Sequence, residues 1–253
     1  YIHMKKKIPF YPIISSIIIF LIFLIFWKIT DKIIYKSTGL GNPIIYSYSK
    51  IYAYGLMPNQ EVVRKGNKIK INNFGMRSND AWRLDNENSI LFIGDSVTYG
   101  GSIVSNKDLF SEKICKEINL NKFTCGNLSA NGYGLDAINK RIKYKSFNNE
   151  KILVIILCGS DFIRGINHIG SQPFWGKKID NFFPATTELF FILLDKIRNK
   201  FKYEFGEKNI YTDTKIKYYI DLMEDLKLNL DKNKKPYLII YTPELSELNG
   251  KNN

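Results

Sequence analysis

The sequence predicts an α/β domain with a parallel sheet, placed after one N-terminal transmembrane helix. Short apolar runs with the length and β-branched content of buried strands alternate with segments of helical periodicity. The runs are Ile90–Ile93, Phe123–Gly126, Ile152–Leu157 and one within Pro236–Glu244. The helices are expected at Asp108–Leu120, Gly134–Tyr144, Thr187–Phe201 and Thr214–Asp231. This alternation indicates a parallel sheet with right-handed crossovers.

The N-terminal stretch predicts the membrane helix. Ile8–Trp27 contains 20 residues without a charge, about the length that crosses a hydrocarbon core. Three lysines precede it and three follow it, so the flanking charge sets no orientation. No small-residue cleavage pattern follows Trp27. We therefore predict an uncleaved signal anchor, and divide the chain into residues 1–31 (tail and anchor), 32–85 (linker and lead-in) and 86–253 (α/β domain).

Ser96 is the first candidate for chemistry. The run Ile90–Ile93 stops at Gly94-Asp95-Ser96, and a helical segment is expected next. Open α/β sheets bind their ligands where strands end and helices begin. The N-terminus of the following helix would also favour negative charge on the serine oxygen. The position therefore suits a nucleophile, although Gly-Asp-Ser is also an ordinary turn and Ser96 an ordinary helix N-cap.

Two further motifs follow the next strands. Asn127-Leu128-Ser129-Ala130-Asn131-Gly132-Tyr133-Gly134 comes after Phe123–Gly126, and Cys158-Gly159-Ser160-Asp161-Phe162 comes after Ile152–Leu157. With Gly94-Asp95-Ser96 they resemble, in order, the first three blocks of the SGNH/GDSL hydrolases. The segment Asn72–Arg77 also resembles the Asn-x-x-Gly-aromatic-Arg lead-in of membrane-linked members, with Met76 at the aromatic position.

The resemblance implies a flavodoxin-like three-layer α/β/α fold, with Ser96 as nucleophile. It assigns oxyanion donors to the N–H groups of Ser96 and Gly132 and to the hydroxyl of Ser160, which replaces the usual asparagine. Asp95 is expected to fix the turn rather than to do chemistry. The family's common placement outside the cytoplasm implies an N-in, C-out orientation of the single-pass anchor.

The family's last block, Asp-x-x-His, supplies the general base, and this chain has no match to it. His3 precedes the anchor, and His168 lies in a loop with Gly165, not aspartate, three residues before it. Either the chain is a fragment cut before that block, or it is a complete relative that uses the cleft for binding. Because three residues precede Met4, we expect a fragment that shows little or no activity by itself.

Charge and cysteines exclude other classes. The net charge of +13 comes mainly from lysine in a chain rich in Ile and Asn, and no basic segment has a nucleic-acid motif, so we expect no nucleic-acid partner. The spacing of Cys115, Cys125 and Cys158 fits neither zinc nor a disulfide framework. A bridge between the ends of neighbouring strands, at Cys125 and Cys158, is open, but we expect free buried cysteines. We predict no metal and no cofactor.

The resemblance and the predicted anchor together imply a membrane-anchored serine esterase or O-acyltransferase that acts on acylated glycans or lipids. Hydrolysis and transfer differ only in the acceptor, water or a sugar hydroxyl, and the sequence does not separate them. The alternative is a non-catalytic binding or assembly component of an envelope polysaccharide system.

Overall fold

The computed structural model describes residues 10–38, 40, 45–86, 88–117, 123–162, 184–190, 193–194, 197, 213–243 and 245–248. The helices are α1 (Phe10–Thr38), α2 (Ser96–Tyr99), α3 (Phe110–Glu117), α4 (Leu135–Lys143), α5 (Asp213–Asn233) and α6 (Leu245–Leu248). The strands are β1 (Tyr46–Ser49), β2 (Ala53–Leu56), β3 (Gln60–Arg64), β4 (Asn67–Ile71), β5 (Ser89–Ile93), β6 (Thr124–Asn127), β7 (Ile152–Cys158) and β8 (Tyr237–Thr242). Short 3-10 turns cover Asn106–Asp108 and Gly159–Phe162.

The α/β fold and its parallel sheet are confirmed. Four strands pair in the order β6-β5-β7-β8, all parallel. The first of these strands in the chain therefore lies between the second and the third, which is the strand order of flavodoxin-like sheets. In such a sheet the crevice beyond the carboxyl ends of the first and third strands, here β5 and β7, is the usual ligand site.

Helices cover both faces of the sheet. On one face Leu91 and Ile93 of β5 pack with residues of α4 and α5, and on the other Ile90 and Phe92 pack with Phe110 of α3. Every residue of β5 is buried. A strand covered on both faces is apolar without alternation, which is why this run could be recognised in the sequence.

The segment 32–85 is more ordered than the expected linker. It contains the end of α1 and two antiparallel hairpins, β1–β2 and β3–β4. Their side chains enter the core: Tyr54 and Ile69 are fully buried, and Ile69 belongs to a cluster that includes Tyr99 of α2. The hairpins thus support the segment that begins at Ser96. The division of the chain into three segments stays a prediction.

Helix α1 has the length and apolar composition needed to cross a membrane. It continues beyond Trp27 through Thr38, and its second half contacts the rest of the chain. The Tyr35 hydroxyl donates to the carbonyl of Val63 at 2.8 Å. Asp31 accepts hydrogen bonds from the N–H and the hydroxyl of Thr186 at 2.9 and 3.0 Å, and the Trp27 indole donates to that hydroxyl at 2.7 Å.

The expected helices agree with the structure where it describes them. α3, α4 and α5 begin or end within a few residues of the expected positions. Within the expected helix Thr187–Phe201, the structure describes residues 187–190, 193–194 and 197, and all of them are helical. His168 and nearly all of the segment 165–185, expected as an insertion beside the third motif, lie outside the described residues.

The expectation of three free cysteines is wrong. Cys115 of α3 and Cys125 of β6 form a disulfide, with Cα atoms 6.2 Å apart, and Cys158 is free and buried. The bridge left open between Cys125 and Cys158 does not form, because β6 and β7 are separated by β5. The sequence could not indicate the actual pair, since α3 brings Cys115 to the sheet only through tertiary packing.

Candidate functional site

Ser96 directly follows the Gly94-Asp95 turn at the carboxyl end of β5, the strand that pairs with β7. Asp95 caps α2: its Oδ1 accepts the N–H of Val97 at 2.8 Å, and its Oδ2 accepts the Ser96 hydroxyl at 3.3 Å. Ser96 is half-buried, and Asp95 is buried. Because α2 has only four residues, its dipole contributes little at Ser96.

Gly94 lets the chain turn at this point. A Cβ built on Gly94 would lie 2.5 Å from the carbonyl oxygen of Ile156 in β7 and 2.2 Å from Oγ1 of Thr98. Any side chain here would push β5 and β7 apart directly beneath Ser96. A glycine is therefore required for the close approach of the two strands.

The third motif joins the first through a short hydrogen-bond chain. Sγ of Cys158 donates to Oδ2 of Asp95 at 3.5 Å and lies 3.3 Å from Oγ of Ser160. With its one proton directed to Asp95, the thiol accepts the Ser160 hydroxyl proton. Ser96 and Ser160 are thus connected through Asp95 and Cys158, and the Ser160 hydroxyl must rotate away from sulfur to reach an oxyanion.

Cys158 is a thiol at neutral pH. Its pKa is raised to about 11, mainly by burial; the hydrogen bond with Ser160 lowers it, and the nearby carboxylates of Asp161 and Asp95 raise it. A thiol in this state is a weak nucleophile. It links the two motifs rather than competing with Ser96.

A cysteine count tests both the disulfide and the state of Cys158. In denatured, unreduced protein we expect maleimide to modify one cysteine, and three after reduction. In the native protein at pH 7.5 we expect slow modification of Cys158 that accelerates as the pH rises toward 11, because only the thiolate reacts. Intact-mass spectrometry counts the modified cysteines in each of these three experiments. Three reactive cysteines before reduction would contradict the bridge.

One group of side chains has the composition of a metal site. Asp95, Cys158 and Asp161 are buried and offer ligand atoms within 4.8 Å of one another. Each already has a role inside the protein: Asp95 caps α2, Asp161 Oδ2 accepts the N–H of Cys158 at 2.9 Å, and the thiol keeps its proton. The hydrogen bonds account for the cluster, and the absence of a metal stays a prediction.

The second motif follows β6, on the side of β5 opposite β7. Gly132 has φ +77°, in the left-handed region that favours glycine, and lies in a turn with Asn131. The three motifs therefore extend from three adjacent parallel strands at one edge of the sheet. Ser96 and Ser160 are joined by hydrogen bonds, and Gly132 reaches this edge from the other neighbour of β5.

The lead-in segment supports the loop after Ser96. Arg77 is fully buried and stacks its guanidinium over the Tyr99 ring at 4.7 Å. It donates to the Tyr99 carbonyl at 2.8 Å and to Asn106 Oδ1 at 3.1 Å, and also to the carbonyls of Gly101 and Val104. Burial lowers the pKa of Arg77. One side chain thus holds the path of the chain from Tyr99 to Asn106.

Glu247 of α6 is a residue that the sequence reasoning missed. Its Oε1 would lie 2.4 Å from a Cβ built on Gly159, and it accepts the Tyr241 hydroxyl at 2.6 Å. A carboxylate therefore borders the third motif. The sequence signal that could have indicated Glu247 is its place shortly after the Pro243-Glu244 pair that follows β8. No imidazole is placed in the described part of the chain, because His3 and His168 both lie outside it.

Comparison with known proteins adds little to this geometry. No family model and no curated protein matches the chain. Among solved structures, the chain is similar to a catalytic mutant of an acetylxylan esterase from Geobacillus stearothermophilus, with 10% identity and a TM-score of 0.28 over 60% of this chain and 75% of that one. At these values the likeness carries no argument about activity, and the α/β fold of this chain stands on its own sheet topology.

Proposed function

We propose that the protein is a membrane-anchored serine ester hydrolase or O-acyltransferase that acts on acylated glycans or lipids outside the cytoplasm. Ser96 attacks the acyl carbonyl, forms an acyl-enzyme and passes the acyl group to water or to a sugar hydroxyl. The N–H groups of Ser96 and Gly132 and the Ser160 hydroxyl hold the oxyanion. The general base comes from outside the described residues.

The observation that carries this proposal is the position of Ser96. It is a half-buried hydroxyl at the carboxyl end of β5, beside β7, where sheets of this strand order bind ligands. The motif at the end of β7 is linked to it through Asp95 and Cys158. Turns that only connected strands to helices would not require a serine hydroxyl after both β5 and β7.

The extracytoplasmic placement has separate support. The Cys115–Cys125 disulfide follows a helix of membrane-spanning length in the same chain. Disulfides persist in oxidising compartments and are rare in the cytosol. A single-pass protein with the N-terminus inside and the domain outside accounts for both features.

The alternative is a non-catalytic component that binds acylated polysaccharide in the same crevice. The engagement of the Ser160 hydroxyl with Cys158 sulfur favours it, because that hydroxyl is then directed away from an oxyanion. This alternative predicts that Ser96 is no more reactive than any other serine hydroxyl.

A phosphonate adduct on Ser96 distinguishes the two functions. Detergent-solubilised protein is treated with a fluorophosphonate in three forms: wild type, Ser96→Ala and His168→Ala. Peptide mass spectrometry then locates the adduct. We expect Ser96 of the wild type to react much faster than other serines, and no adduct at this position in Ser96→Ala. Loss of the fast reaction in His168→Ala would identify His168 as the base; absence of an adduct on Ser96 in the wild type would favour binding.

Ser160 offers a test of the oxyanion arrangement. We expect Ser160→Asn to raise kcat for p-nitrophenyl acetate about tenfold, because an amide reaches further than a hydroxyl and carries donors that Cys158 does not sequester. Ser160→Ala should lower kcat, with KM unchanged in both variants. Steady-state kinetics on the active form measures this, and equal kcat in all three proteins would remove Ser160 from the site.

A further inference from the structure

We infer that Tyr54 of β2, assisted by Tyr46 of β1, is a positioning residue for the Gly132 N–H. This inference rests on the proposed function, in which that N–H donates to the oxyanion. It assigns a part of the site to a hairpin that the sequence presents as a linker.

The Tyr54 hydroxyl donates to the carbonyl oxygen of Asn131. That carbonyl and the Gly132 N–H belong to one peptide unit, which is planar and trans, so the two groups point in opposite directions. Fixing the Asn131 oxygen toward Tyr54 therefore fixes the direction of the Gly132 N–H. A hydrogen bond to the carbonyl also polarises the same peptide unit and strengthens its N–H as a donor.

Neighbouring groups hold the arrangement in place. The Asn131 amide donates to the Tyr46 hydroxyl at 2.8 Å, so the hairpin contacts both the main chain and the side chain of Asn131. The Tyr133 hydroxyl donates to the Tyr54 carbonyl, and the Tyr54 ring packs on the rings of Tyr46 and Tyr133 at 5.5 and 5.2 Å. Tyr54 and Tyr133 are fully buried. Burial raises the pKa of both Tyr46 and Tyr133, so these hydroxyls stay protonated at neutral pH.

The turn needs this support because its own backbone bond is long. The backbone nitrogen of Tyr133 lies 3.4 Å from the carbonyl oxygen of Ala130, at the outer limit of a hydrogen bond. Gly132, with φ +77°, also has more backbone freedom than any other residue type. Without the hairpin, the peptide unit that carries the oxyanion N–H would have several accessible orientations.

The test removes one hydroxyl and keeps the ring. In Tyr54→Phe we expect hydrogen exchange of the peptide that contains Asn131 and Gly132 to accelerate at least fivefold. We also expect kcat on p-nitrophenyl acetate to fall about tenfold with KM unchanged, since only the transition state carries the oxyanion. Tyr35→Phe is the matched control: it removes a tyrosine hydroxyl that donates to another carbonyl, that of Val63, and should change neither reading.

The outcomes separate this inference from the proposed function. Unchanged exchange at Asn131–Gly132 in Tyr54→Phe would overturn the inference, and so would accelerated exchange with unchanged kcat in an active enzyme. A fall in kcat accompanied by faster exchange throughout the sheet would mean a general loss of stability and would also overturn it. If the wild type shows no Ser96-dependent turnover, the proposed function fails, and the role assigned to the Gly132 N–H fails with it. The exchange result then still decides whether Tyr54 holds the turn.

Discussion

Replacing Ser96 by alanine is expected to lower ester hydrolysis by at least about 10³-fold, because loss of a nucleophile removes the covalent pathway and leaves only the oxyanion donors and substrate binding. The structure of the turn should survive the change. Asp95 Oδ1 caps α2 through the N–H of Val97, and among the described residues the Ser96 side chain contributes a 3.3 Å contact to Asp95. The loss should therefore appear in kcat, with an unchanged unfolding midpoint.

The measurement is the initial rate on p-nitrophenyl acetate, made with the detergent-solubilised wild type and Ser96→Ala. Ser102→Ala in the loop after α2 is the matched control and should retain the wild-type rate. Equal rates for wild type and Ser96→Ala would show that any hydrolysis arises elsewhere, and would leave the binding function in its place.

Replacing Arg77 by methionine is expected to reduce the free energy of unfolding by about 3–5 kcal/mol. The guanidinium is fully buried and donates to three carbonyls and to Asn106 Oδ1, so its removal leaves several acceptors without a donor. Methionine keeps most of the apolar stem, which isolates the contribution of the charged group. Arg77→Lys should not restore the lost free energy of unfolding, because one ammonium group cannot reproduce the several donors of the planar guanidinium.

Chemical unfolding of the detergent-solubilised protein, followed by circular dichroism, measures this loss. Arg83→Met provides the control: Arg83 is exposed, and its replacement should change the free energy of unfolding by less than about 0.5 kcal/mol. Equal stability of Arg77→Met and wild type would mean that the loop from Tyr99 to Asn106 keeps its path without the guanidinium.

The sheet could be predicted because its strands carry their own signal. β5 and β7 are buried on both faces, so an uninterrupted run of apolar residues marks each of them. Gly94-Asp95-Ser96 and Cys158-Gly159-Ser160 stand directly after those runs, so strand order and motif order together indicated the edge where they meet. The structure then supplied the link between them, through Asp95 and Cys158.

The hairpins could not be predicted for a physical reason. β1 and β2 have four residues each, rich in Tyr, Ser and Gly, and their register depends on packing against residues far along the chain. Tyr54 meets Asn131, which is 77 positions away, and no local pattern contains that information. The Cys115–Cys125 pair is only ten positions apart, but it was missed because it depends on how α3 packs against the sheet. Such long-range contacts determine the backbone geometry at Gly132, and the hydropathy pattern of the sequence does not indicate them.

The second half of α1 fixes the distance between the end of the apolar run and the α/β domain. With the apolar run ending at Trp27, residues 28–38 add about 16 Å of helix at 1.5 Å per residue. Thr186 donates hydrogen bonds to Asp31, and Tyr35 donates one to the carbonyl of Val63, so this part of the helix is fixed to the domain at two points. A domain mounted in this way cannot sample the distance that a flexible tether would allow. With α1 in a membrane, as proposed, Ser96 would work at a fixed height above the bilayer, and the proposed acyl substrate would have to be brought to that height.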